Sequence, residues 1–193
     1  MSAYAGWTFQ PFLICFLLLM TVKVKAQDQT AVPKISVGFV MGFPTGKTAK
    51  TYVNGYGAST KVEFKVSEHL NLTGSAGYMT FRYRDEVKKR LDYLGEPTSM
   101  NGVVPIKVGA KYYFEGIYYA ALELGAANTL GDRLNTSFAY GPTLGASIPI
   151  SKHYSADLGL RYEGWKSSGG QVSFLDFVWL WQFQELKNNR QNI

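Results

Sequence analysis

The chain has 193 residues, 46% hydrophobic, 15% aromatic and 18% charged, with a formal net charge of +6. That length fits one domain, and low charge with abundant aromatics excludes a disordered chain. A single Cys excludes an internal disulfide framework, and with only two His beside it a four-ligand structural zinc site is excluded too.

Phe12 to Met20 read FLICFLLLM, an unbroken apolar run. A spanning helix needs about 20 apolar residues, so this run instead fits the core of a secretory signal peptide. Val24-Lys25-Ala26 supplies the cleavage positions, so residues 1–26 are expected to be removed and the mature chain to begin at Gln27. Lys23 and Lys25 follow the run instead of preceding it, a departure from the usual order, and Cys15 sits inside the run, a poor lipidation site. Cleavage removes those two Lys, so the net charge falls from +6 to +4 and no thiol remains. A thiol-free chain suits an oxidising compartment. There is no basic run interleaved with aromatics, so nucleic acid is not an expected partner.

Downstream, apolar residues recur at every second position, and no segment holds a 3.6-residue period. Ile35, Val37, Phe39, Met41 and Phe43 share the first face. Tyr56 to Val66 alternates with Lys61, Glu63 and Lys65, Leu70 to Tyr78 with Asn71, Thr73 and Ser75, and Val104 to Tyr112 with Lys107 and Lys111. Tyr118 to Leu124 opposes Glu123, Tyr140 to Ile148 opposes Thr143 and Ser147, and Leu158 to Tyr162 opposes Asp157, Arg161 and Glu163. Gln171 to Phe183 sets Leu175, Phe177, Trp179, Trp181 and Phe183 against Asp176. Strand candidates of about 9–13 residues have the length that crosses a bilayer at a tilt.

The connections alternate. Ser67 to His69, Phe114 to Gly116 and Ile150 to His153 are short; the segments near Pro44–Asn54, Tyr83–Gly102, Asn128–Thr136 and Lys166–Gly170 are mostly longer. Gly116 suits the left-handed position of a three-residue hairpin loop, which sets Tyr113 opposite Ile117 and keeps Lys111 and Glu123 on one side of the sheet. Short turns on one rim, long loops on the other and an even strand count describe an outer-membrane barrel. In hydrocarbon every backbone N–H and C=O needs an internal partner, so such a sheet closes on itself. Its lumen candidates are Lys61, Lys65, Lys107, Lys111 and Arg161 against Glu63, Glu123, Asp157, Glu163 and Asp176, a balanced set able to pair in the narrow interior of an eight-stranded barrel. Tyr112, Tyr162, Trp165, Trp179, Trp181 and Phe183 are the expected interfacial aromatics.

The stretches Gly159-Leu160-Arg161-Tyr162-Glu163-Gly164-Trp165, Lys111-Tyr112-Tyr113-Phe114 and Gly55-Tyr56-Gly57-Ala58, with the aromatic last strand, resemble the small outer-membrane β-barrel domain family of Gram-negative bacteria. That family is similar in architecture to the OmpA/OmpX type of barrel. The resemblance covers nearly the whole mature chain. It implies an all-β, eight-stranded antiparallel up-and-down transmembrane barrel over residues 27–183, sited in the outer membrane, with outer-membrane lipid and lipopolysaccharide around it. Phe183 stands where such barrels carry the terminal aromatic read during assembly, but a polar periplasmic tail, residues 184–193, follows it. That tail is too short for a peptidoglycan-binding domain.

No catalytic constellation emerges. His69 and His153 both fall at short turns, away from the outer rim where a lipid-modifying site would need them, so no enzyme activity, cofactor or metal is expected. Lys47-Thr48 follows Gly46 without the earlier Gly of a phosphate-binding loop. Arg82, Arg84, Lys88, Lys89 and Arg90 form a charged outer loop that is either merely solvated or contacts lipopolysaccharide phosphates or an envelope protein. The expected role is a monomeric, non-catalytic barrel whose long outer loops contact partners. A narrow channel or small apolar-ligand transporter is one alternative. A secreted, lipocalin-like barrel with its charges facing water is another.

Overall fold

The computed structural model describes residues 33–96, 98, 102–131 and 135–183. The expected signal peptide and the tail lie outside the described residues. Eight strands follow one another: β1 (Lys34–Pro44), β2 (Tyr52–Lys65), β3 (Leu70–Tyr83), β4 (Val103–Glu115), β5 (Tyr118–Thr129), β6 (Asn135–Pro149), β7 (Tyr154–Ser167) and β8 (Gly170–Phe183). Each pairs antiparallel with the next, and β1 pairs with β8, with Ile35 opposite Phe183, so the sheet is a closed eight-stranded barrel as expected. At about 3.3 Å per residue the shortest strand, with 11 residues, extends ~36 Å and can cross a ~30 Å hydrocarbon core at a tilt.

The two faces of the wall separate by chemistry. Phe64, Leu122 and Leu160 are 52%, 49% and 55% exposed on the outer wall, whereas Lys61, Glu63, Lys111 and Glu123 are buried inside. A soluble barrel would reverse this assignment, since exposing such an apolar belt to water is costly. The lipocalin-like alternative is therefore overturned, and the barrel's solvent is hydrocarbon.

Both ends of the described barrel lie on the rim of the short turns, as an even number of up-and-down strands requires. Those turns are Val66–His69, Gly116–Ile117 and Ile150–His153. Gly116 has φ +51°, the left-handed geometry anticipated for it. The register differs from expectation: an irregularity between Tyr113 and Glu115 sets Tyr113 opposite Tyr119, not Ile117. The shift is an even number of residues, so Lys111 and Glu123 still share the inner side.

The opposite rim departs from the expected set of long loops. Thr45–Thr51 and the 130–134 connection are moderate, and Ser168–Gly169 is a two-residue turn, because β5, β6 and β7 run further than their alternation suggests. Only the connection from Arg84 to Gly102 is long, and it carries a helix, α1 (Asp85–Tyr93). Asp85 and Glu86 in the first turn and Arg90 in the last suit the helix dipole. The C-terminus closes with paired bonds, from the Glu96 amide to the Leu91 carbonyl and from the Gly95 amide to the Asp92 carbonyl, Gly95 having φ +69°.

Candidate functional site in the lumen and on the outer rim

The inward positions form two layers below a third. Nearest the short turns, Lys111 is fully buried and binds Glu63 at 2.9 Å and also Asp157. Its ammonium lies 4.0 Å from the Tyr119 ring centroid, and the Tyr119 hydroxyl donates to Asp157. Asn71 donates to the other Glu63 oxygen at 3.1 Å. Glycine makes room here: a Cβ on Gly145 would sit 2.5 Å from the Tyr119 hydroxyl.

The middle layer joins five strands. Arg161 reaches Glu163 at 2.7 Å and Asp176 at 2.7 Å, with Glu123 at 3.8 Å. Lys107 binds Glu163 at 2.6 Å, and Lys61 lies 3.2 Å from Glu123. Alternation inward on β2, β4, β5, β7 and β8 brings these charges together, and each is buried with a partner, as low dielectric demands.

Nine of the ten anticipated lumen charges meet in these layers. Lys65 does not: it has inward parity but lies at the last residue of β2, where the rim is open and it is exposed. Lys34 was not anticipated. It shares the inner face of β1, is half-buried and stands opposite Glu63 in register. Its alternation with Ser36 and Gly38 was the available signal.

Above the charges lies an apolar plug of Val40, Met79, Phe81, Val103, Ala127, Ala139, Trp165, Phe174, Val178 and Leu180. Phe81, Trp165 and Phe174 form an edge-to-face trio with centroids 4.8–5.8 Å apart. Trp165 was expected at the membrane interface and is instead 4% exposed inside this trio, its indole N–H donating to Glu163 at 2.8 Å. Its parity matches Arg161 and Glu163, so it faces inward. The other anticipated aromatics do face outward: Tyr112, Trp181 and Phe183 near the short-turn rim, Trp179 two residues deeper and Tyr162 in the half nearer α1. The Thr45–Thr51 connection folds over the plug, with buried Thr48 accepting a bond from the Ser173 amide at 3.1 Å.

The anticipated cationic residues on the rim beside α1 are all exposed. Arg84 also staples the long connection down, its amide donating to the Thr51 carbonyl at 2.9 Å and its Nε to the Ala49 carbonyl at 2.7 Å. Replacing Arg84 with Ala should loosen this connection by about 1 kcal/mol, or about fivefold in local opening. Chymotryptic cleavage at Tyr93 measures it; an unchanged rate would assign the anchoring to the backbone bond alone. Within α1, Asp85 and Glu86 stand four residues before Lys89 and Arg90, a spacing that offsets the helix's own cations. The excess charge lies elsewhere on this rim. Lys47 and Lys50 share a connection without any carboxylate, and Arg82 and Lys166 point outward at the strand ends. Among the described residues this rim exposes eight cations (Lys47, Lys50, Arg82, Arg84, Lys88, Lys89, Arg90, Lys166) against four carboxylates (Asp85, Glu86, Asp92, Glu96).

A closed barrel with an apolar wall, a paired-charge interior and both ends on the short-turn rim is a transmembrane β-barrel of the outer-membrane type. No protein-family model matches the chain, and no curated protein sequence does. Among solved structures it is similar to the attachment invasion locus protein Ail of Yersinia pestis, at 16% identity over 80% of this chain and 100% of Ail, with a TM-score of 0.54. It is also similar to Neisserial surface protein A, at 14% identity over 79% of this chain and 97% of that one, with a TM-score of 0.56. A structure of Ail in complex with the heparin analogue sucrose octasulfate matches at 15% identity, with a TM-score of 0.50 over 80% of this chain and 100% of that one. At these identities the likeness is one of fold.

Proposed function

We propose that this protein is a non-catalytic barrel of the bacterial outer membrane whose outer rim binds polyanions, with lipopolysaccharide phosphates as the resident partner. The observation that carries this reading is the twofold excess of exposed cations over carboxylates among the described residues of that rim. Arg82 and Lys166 lie at the strand ends, where headgroups meet the wall, with Lys47 and Lys50 just above. Each Lys or Arg near an anionic surface contributes about 1 kcal/mol, and the attraction is screened by salt. The structure of Ail in complex with the heparin analogue sucrose octasulfate is in keeping with a polyanion as the partner of a barrel of this fold. His69 and His153 are exposed on the opposite rim, far from such a partner, which supports a non-catalytic role.

The test is binding of the detergent-solubilised protein to immobilised lipopolysaccharide. The combined substitution Lys47→Gln, Lys50→Gln and Arg82→Gln should weaken binding at least about tenfold, and the wild-type affinity should fall steeply with salt. Salt-independent binding, or an unchanged affinity in the variant, would refute the reading.

A further inference from the structure

The ladder between β3 and β4 is interrupted within the wall. Ala76 pairs with Ile106 and Met79 with Val103, but Gly77 and Tyr78 have no bridged partner in Pro105 and Val104. Pro105 carries no N–H to donate across this seam, while its other side stays in register with Ala127 of β5. Gly77 and Gly38 contribute no side chain to the inner face at this level, so the wall is thin.

A cavity of about 10 Å³ occupies the gap, room for one water-sized group. Lys107, Arg161 and Glu163 line it from the lumen, and Ala58, Ala76 and Tyr78 from the lipid side. Ser75 also lines it; this residue is 7% exposed, and its hydroxyl has no hydrogen-bond partner. Ala58, Ser59, Ala76 and Gly77 also border a groove of about 400 Å³ on the outer wall, continued by Val37 and Thr60. The barrel has a second proline interruption, where Pro142 separates the pairs Tyr140–Gly164 and Thr143–Arg161. There the Arg161 stem crosses Gly141, with Cδ 2.9 Å from the position of an added Cβ, and covers the wall.

We propose that the β3–β4 seam is a lateral docking site for a neutral, single-chain amphiphile with a hydroxyl head, entering from the membrane. The alkyl tail lies in the groove over Ala58 and Ala76, and the hydroxyl enters the cavity and bonds the Ser75 Oγ. Charge decides the head. Lys61, Lys107 and Arg161 already balance Glu123, Glu163 and Asp176 around this point, so a carboxylate or an ammonium would enter as an unpaired buried charge. Depth supplies the selectivity. Surrounding hydrocarbon offers a hydroxyl no partner, whereas the seam offers an orphaned one. This site is independent of the polyanion reading of the rim.

Diazirine-bearing dodecanol, dodecane and dodecanoate are the probes, photolysed with the full chain in phosphatidylcholine nanodiscs and mapped by mass spectrometry. Dodecanol should label residues around Ala58, Ala76 and Gly77 above the rest of the wall, and above both other probes. Ser75→Ala should lower dodecanol labelling at the seam about fivefold, the effect of losing one hydrogen bond, and leave dodecane labelling unchanged. Ala58→Leu, which adds bulk on the lipid face and leaves folding intact by heat-modifiability, should remove the seam enrichment. Even labelling around the belt, equal labelling by dodecanol and either other probe, or indifference to Ser75→Ala would each overturn the proposal.

Discussion

Replacing Arg161 with Met should destabilise the barrel by about 3–5 kcal/mol, the usual effect of removing one partner from a buried charge cluster. Arg161 is the hub of the middle layer and makes the only ion pair of buried Asp176 seen among the described residues. Glu163 would keep Lys107 and Glu123 would keep Lys61, but Asp176 would be left buried without an ion-pair partner beneath the plug. Urea unfolding in detergent micelles measures the change. Adding Asp176→Leu should restore much of the loss, because a buried ion pair replaced by apolar side chains is often neutral in stability. A single variant within about 1 kcal/mol of wild type would show that the ion-pair geometry carries little of the stability.

Phe81→Ala should cost a similar amount, about 3–5 kcal/mol, for a different reason: it leaves a cavity at the centre of the aromatic trio. The same variant separates plugging from conduction. The ion-paired layers still fill the lumen below, so both wild type and variant should be silent in planar bilayers. A conductance step on removal of Phe81 alone would mean the plug was the lumen's only seal, and would favour the channel alternative.

The architecture was legible because a membrane wall imposes a rule on every residue. Period-two alternation forces Phe64, Leu122 and Leu160 to one side and Lys61, Glu123 and Arg161 to the other, and hydrocarbon allows only one assignment of sides. Trp165 shows the limit of reading residue type ahead of parity: an aromatic near a rim suggested the interface, while its odd position placed it with Glu163. The helix α1 went unseen because seven of its nine residues are exposed and only Val87 and Leu91, half-buried at a four-residue spacing, mark an apolar side, too short a stripe to set a helical period, although Asp85-Glu86, Arg90 and Gly95 marked its ends.

The sequence by itself determined the number of strands, the side each residue faces, and the presence of a balanced charge set, since all three follow from local alternation and the insolubility of unpaired charge in lipid. Only the tertiary structure decided which charge meets which, that the apolar residues Phe81, Trp165 and Phe174 converge into a plug, and that the seam at Pro105 opens toward an orphaned Ser75 hydroxyl. Those outcomes depend on the stagger between strands and on side chains reaching across the lumen from strands distant in the chain, and no local pattern encodes such distances.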